Sequence, residues 1–326
     1  MKKTGKLLKN PILYLVIMLL IMGVFSADIY RTYREFSQDS LSSRGGWNFH
    51  FAVDLGESDT WYASEFIRGA REEAEQYGIA LEIRGVNSSY QEGGTGFIQW
   101  AVNANIDAVL SSGEASGRYE EIVECLERSN TVCVVVQNEI SYKKSFYVGT
   151  DNYQEGYRLG SLLAERYEGR AVSFALLYPE VETQIVHSRV RGFHEAIRDA
   201  RNIRILEEKV VESSVLEAMG EAEAHLLENP ELQGFVCFDE IILDGAARGV
   251  IDLNRVKSID IAGIGYSDEI RNYLEKGIVE FVIATDPFQA GKKAVATAYA
   301  QKKEKETTQK TWIDFTVVRK SGDMGG

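Results

Sequence analysis

Short strands that are apolar on both faces alternate with amphipathic helices along most of this chain, and that alternation restricts the fold more than any other feature. Phe49–Val53 reads as a strand. Ser64 to Tyr77 has helical period, with Phe66, Ile67, Ala70 and Ala74 on one face and Gly78 as the stop. Strands Ile79–Ile83, Asp107–Leu110, Thr131–Val136 and Phe146–Val148 follow, interleaved with helices at Gly96–Asn103 and Arg118–Arg128. The pattern then restarts. Helices are expected at Gly156–Tyr167, Ser188–Ala200, Val215–Leu227, Ile241–Gly249, Glu269–Leu274 and Ala290–Gln301. Between them lie strands Ala171–Leu177, Ile203–Val211, Gly234–Phe238, Ile259–Ile264 and Phe281–Ala284, with Trp312–Val318 closing the series. Strands buried on both faces and spaced by helices build mostly parallel sheets covered on both sides.

The expected fold class is therefore α/β, with two Rossmann-like lobes of about 100–130 residues each. The break falls near Gly149–Asn152 and a second crossing at Thr285–Pro287. This gives a first lobe of residues 48–150 plus 286–320 and a second of 151–285. A chain that leaves one lobe, builds another and returns makes a hinge, here at Thr150, Asp151 and Asp286, and such hinges permit closure. Ligands of open parallel sheets sit beyond the carboxyl ends of the strands.

The amino end adds a second constraint. Lys2, Lys3, Lys6 and Lys9, in a lysine-rich tail of residues 1–10, precede an apolar run from Pro11 to Ala27. Roughly 17 residues at 1.5 Å rise just cross a bilayer core, so a transmembrane helix is expected there. The lysines hold the tail in the cytoplasm, which places the body outside the cell membrane. The run is longer than a usual signal core and favours a retained anchor; a cleaved signal after Ser26, leaving a secreted body, is the alternative. No cysteine follows the run to carry a lipid. Residues 28–47 read as a stalk and 321–326 as a disordered tail.

A net charge of −13 argues against nucleic acid as a partner. Cys125, Cys133 and Cys237 sit in apolar contexts and read as buried hydrophobes, not as a disulfide framework. Catalytic signatures are missing. Gly93–Gly96 does not fit a dinucleotide fingerprint, and Gly291-Lys292 lacks the upstream glycine of a phosphate loop. Gly113–Gly117 misses the nucleophile elbow by one position, and His194-Glu195 has no second histidine at helical spacing. No enzyme activity, cofactor or metal is expected.

Four segments carry a family resemblance. Tyr147-Val148-Gly149-Thr150-Asp151-Asn152-Tyr153-Gln154-Glu155-Gly156 resembles the strand–turn–helix crossover of type I periplasmic solute-binding proteins. Arg189–Ile197 is similar to their second-lobe helix, Gly234–Glu240 to the following strand and binding loop, and Ala284–Pro287 to the return crossover. The resemblance spans Asn48 to Val318 and is to the ribose- and galactose-binding group.

It implies a sugar or sugar-like ligand held by loops of both lobes. Trp61 and Tyr62 stand where the family packs aromatic rings on a sugar face, and Asn138 and Glu139 where it has an aspartate and an arginine. Arg189 matches the arginine that grips ligand oxygens; its five fixed donors suit vicinal hydroxyls or a carboxylate. Asp239 belongs to the same binding loop. At three positions the chain departs from the family. Phe238 replaces an asparagine, Gly265 beside Tyr266 replaces an aspartate, and Thr285 replaces a glutamine. The loss of these polar anchors points away from a simple pentose, toward a ligand with more apolar surface or one gripped through Arg189. The resemblance implies a receptor that delivers its ligand to an ABC importer; the alternative is an anchored co-receptor for a sensor histidine kinase or chemoreceptor.

Overall fold

A computed structural model describes residues 47–55, 61–84, 95–112, 128–137, 146–179, 184–303 and 308–320. The apolar run of 11–27 and most of the expected helix Arg118–Arg128 lie outside them. Among the described residues no helix is long and apolar enough to cross a membrane.

From Phe49 onward the elements run β1 (Phe49–Asp54), α1 (Trp61–Tyr77), β2 (Ile79–Arg84), α2 (Thr95–Asn103), β3 (Ala108–Ser111), β4 (Val132–Val136) and β5 (Phe146–Gly149). Next come α3 (Asn152–Arg166), β6 (Val172–Pro179), α4 (Gln184–Ile197), β7 (Ile203–Val211), α5 (Val215–Glu228), β8 (Gly234–Cys237) and α6 (Glu240–Asp252). The chain finishes with β9 (Asp260–Ile264), α7 (Asp268–Lys276), β10 (Phe281–Thr285), α8 (Pro287–Lys302), β11 (Lys310–Trp312) and β12 (Phe315–Arg319). Among the described residues two six-stranded sheets result, in the orders β11-β5-β4-β3-β1-β2 and β12-β10-β9-β8-β6-β7. Their pairings are all parallel except β12 against β10.

Why the strands read as continuous apolar runs is visible in where alternate residues go. Val134 and Val136 of β4 enter one apolar cluster, Cys133 and Val135 another. Phe235 and Cys237 of β8 join one cluster of the second lobe, while Val236 and the adjoining Phe238 join a second. Successive side chains point to opposite faces, so a sheet with helices on both sides needs both sets to be apolar.

The chain passes between the sheets at three places among the described residues. After β5 it enters α3, and after β10 it returns into α8. Asp151 and Asp286 are the N-caps of those helices, accepting from Gln154 N at 3.1 Å and Gln289 N at 3.0 Å. The third passage was not anticipated. Trp312–Val318, expected as one strand, is divided: β11 pairs with β5 of the first sheet, and β12 runs antiparallel to β10 of the second. Ile313 N donates to Gly149 O at 2.9 Å and its side chain is buried, so the crossing falls at Ile313–Asp314. Sheet membership is decided by distant hydrogen-bond partners, which an alternating apolar stretch does not reveal.

Candidate functional site

The carboxyl ends of β1 and β9 approach each other through the residues that follow them. Trp61, the first residue of α1, meets Tyr266 edge to face, with ring centroids 5.5 Å apart and planes at 71°. One ring comes from each lobe. Beside Trp61, Tyr62 stacks on Phe66 one helical turn later, at 6.3 Å and 20°. Burial pushes the Tyr62 phenol above its ordinary pKa; Tyr147 and Glu155 push it further, and Arg189 opposes them. The phenol therefore lies within electrostatic reach of Glu155 and Arg189 in the second lobe.

Those two residues pair because α3 and α4 pack at backbone contact. A Cβ at Gly156 would fall 1.8 Å from Arg189 O, and one at Gly192 would fall 2.1 Å from Tyr153 O. Only glycine fits at such distances. The approach sets Arg189 against Glu155, Nε donating to Oε2 at 2.8 Å, while Nη1 donates to the Phe238 carbonyl at 3.1 Å. Glu155 is fully buried, and among the described residues its Oε1 has no hydrogen-bond partner.

Tyr147 fixes the rear of the junction. Its one hydroxyl proton is shared between Gln137 O at 3.1 Å and Thr150 O at 3.2 Å, tying the end of β4 to the first crossing. Glu240, at the start of α6, has a carboxyl raised from 4.5 to about 7. Burial is the main cause, the Asp239 charge adds to it, and a hydrogen bond with Ser267 opposes.

The expected contact residues are placed unevenly. Trp61, Tyr62, Arg189 and Tyr266 gather at the junction of the lobes. Asn138 and Glu139 lie outside the described residues. Phe238, expected among the ligand contacts, is fully buried, edge-on to Phe193 and Tyr178, and its carbonyl accepts from Arg189. Asp239 caps α6, Oδ1 accepting from Ile241 N at 2.8 Å. Gly265 has φ +127°, and a Cβ there would sit 2.7 Å from Glu240 Cα, so the loop shape excludes the family's aspartate. Thr285 is half-buried at the end of β10, opposite Phe315. Thr150, Asp151 and Asp286 stand at the crossings, Asp286 exposed. Glu155, Tyr147 and Glu240 were not expected in the site. A groove on the outer face of α1, lined by Ile67, Arg71, Glu75 and Ile83, takes in none of these residues.

The sequence profile of the periplasmic binding protein domain matches residues 51–306. Galactofuranose-binding protein YtfQ of Escherichia coli (strain K12) is 28% identical over 156 residues, 47% of this chain and 48% of YtfQ. The D-allose-binding periplasmic protein of the same organism is 21% identical over 145 residues, 44% of this chain and 47% of that protein. The chain thus spans about half the length of these curated relatives. Among solved structures, GanP, a glucose-galactose binding protein from Geobacillus stearothermophilus, superimposes with a TM-score of 0.78 at 25% identity, covering 85% of this chain and 99% of GanP. The profile match takes in nearly all of both lobes, from β1 past the end of α8, and the chain accordingly belongs to the type I periplasmic binding protein family, which binds solutes without transforming them.

Proposed function

We propose that this chain is an extracytoplasmic receptor that closes its two lobes on a sugar or sugar-like solute. The observation that carries the reading is the convergence of Trp61 and Tyr62 from one lobe with Tyr266, Glu155 and Arg189 from the other. Carbohydrates present apolar C–H faces that pack on aromatic rings and hydroxyls that need fixed polar partners, and the junction supplies both. The sugar named in each curated relative supports the same class. Phe238, Gly265 and Thr285 reduce the polar anchors, which favours a ligand with more apolar surface than a pentose. A ligand that touches both lobes favours closure by its higher affinity for the closed state. Thr150, Asp151 and Asp286, with the crossing at Ile313–Asp314, form the hinge.

The apolar run Pro11–Ala27 behind its lysines anchors the body to the outer face of the membrane. The liganded body delivers its solute to an ABC importer. A second reading, a co-receptor that docks on a membrane sensor kinase or chemoreceptor, is favoured by the same run, because a permanent anchor suits a standing complex. The receptor is tested with the full-length chain in detergent micelles, by following its melting temperature across a panel of sugars, amino acids and related metabolites. An upward shift with a sugar is expected; no shift with any compound would remove the receptor. Cross-linking in native membranes separates the two partners, since recovery of a permease and ATPase supports delivery and recovery of a kinase supports signalling.

A further inference from the structure

An arginine in a binding cleft is an invitation to anions unless its charge is already answered, and in this cleft it is. Arg189 Nε is taken by Glu155 Oε2 at 2.8 Å and Nη1 by the Phe238 carbonyl at 3.1 Å. The pair carries no net charge into the junction. What it does carry is an unmet acceptor: Glu155 is fully buried, yet among the described residues Oε1 has no partner. A buried carboxylate oxygen without a hydrogen bond is costly, and low dielectric sharpens the cost. Tyr62 reaches across from the first lobe closely enough for its phenol to respond to Glu155, and still does not bond to Oε1.

Resting on the receptor reading above, we infer that Glu155 is a specificity-determining residue, which with Arg189 selects a ligand hydroxyl and rejects a ligand carboxylate. A hydroxyl donates and accepts, so it can donate to Oε1 while accepting from the guanidinium. A carboxylate only accepts; it would place a second negative charge against Oε1 and leave that oxygen unmet. The same end of the second sheet carries Asp239, whose negative charge biases the junction further against anions. The ligand class is thereby a neutral sugar, not a sugar acid.

The test is calorimetric titration of the full-length chain in micelles with matched pairs, D-galactose with D-galacturonate and D-glucose with D-glucuronate, extended to other neutral sugars and their acids. The wild type should bind the neutral member of a pair at least about tenfold more tightly than the acid. Glu155→Gln, checked for folding by its circular dichroism melt, should weaken the neutral sugar by about tenfold and move the neutral-to-acid ratio toward the acid. Should that variant not fold, Glu155→Asp, which keeps the charge but withdraws it by one methylene, should lose neutral affinity by a similar factor and keep its preference. Equal or tighter binding of an acid by the wild type overturns the inference, as does an unchanged ratio in folded Glu155→Gln; both leave the receptor standing. Failure of the wild type to bind any neutral or acidic sugar removes the receptor reading, and the inference falls with it.

Discussion

Trp61 of the first lobe, at the start of α1, and Tyr266 of the second, just past the end of β9, meet edge to face at 5.5 Å. The lobes are therefore bridged by side chains of the protein itself. Such a ring pair contributes about 0.5–1.5 kcal/mol beyond the area it buries, enough to shift an open–closed balance but not to lock it.

Trp61→Ala removes that bridge and should raise the open population by about two- to tenfold. Dyes on exposed Glu75 of α1 and Glu228 of α5, on opposite lobes, report the change as a fall in energy transfer in the full-length chain. The melting temperature should move little, because Trp61 lies outside the lobe cores. Unchanged transfer would show that the contact does not hold the lobes together.

Arg189→Ala should be far more damaging. It leaves Glu155 buried without its cation, a change that typically costs about 3–5 kcal/mol. Urea unfolding measures it. Glu155→Leu combined with Arg189→Met should recover most of the loss, since apolar replacement of a whole buried pair is often neutral or better. A loss below about 1 kcal/mol in the single variant would mean that water reaches the carboxylate.

Two glycines inside helices should respond in opposite directions to the same substitution. Gly156→Ala places a methyl 1.8 Å from Arg189 O and must force α3 and α4 apart, at a cost of about 1–3 kcal/mol or more. It should also weaken sugar binding, because Arg189 moves with its backbone. Gly220 of α5 has nothing within 4 Å of a built Cβ, so Gly220→Ala should stabilise by about 0.4–1 kcal/mol. Equal effects at both positions would contradict the close helix contact.

These glycines also mark the limit of what could be read from the chain. The two parallel sheets were legible because strands buried on both faces must be apolar at every position, a purely local signal. The convergence of Trp61, Tyr62, Arg189 and Tyr266 was legible because each follows a strand end or sits in a quoted motif. Glu155 was not, since an acidic residue in the first turn after Asp151 is what any solvated helix start shows. Its burial comes from α4, a non-local partner, and the only hint was glycine at 156 and 192 inside helical runs, where glycine is unfavourable without a packing reason. Phe238 shows the opposite limit: its place in the loop motif is a matter of sequence, but the direction of its side chain, into the core against Phe193 and Tyr178, is not.

Glu240 makes stability depend on pH in an unusual direction. Its carboxyl rises from 4.5 to about 7 in the folded chain, from burial first and the Asp239 charge second. Below 4.5 the folded and unfolded chains both hold the proton, and the site has no effect. From 4.5 to about 7 the unfolded chain releases the proton while the folded chain keeps it, so stability falls as pH rises; above about 7 the loss is complete. Glu240→Gln abolishes that dependence. Discounted for partial exposure, the variant should be more stable than wild type by about 1–3 kcal/mol near pH 8 and indistinguishable from it near pH 4. Urea midpoints of the two proteins across that range provide the measurement, and parallel curves would mean that Glu240 is ionised throughout, with its charge accommodated by Ser267 and solvent.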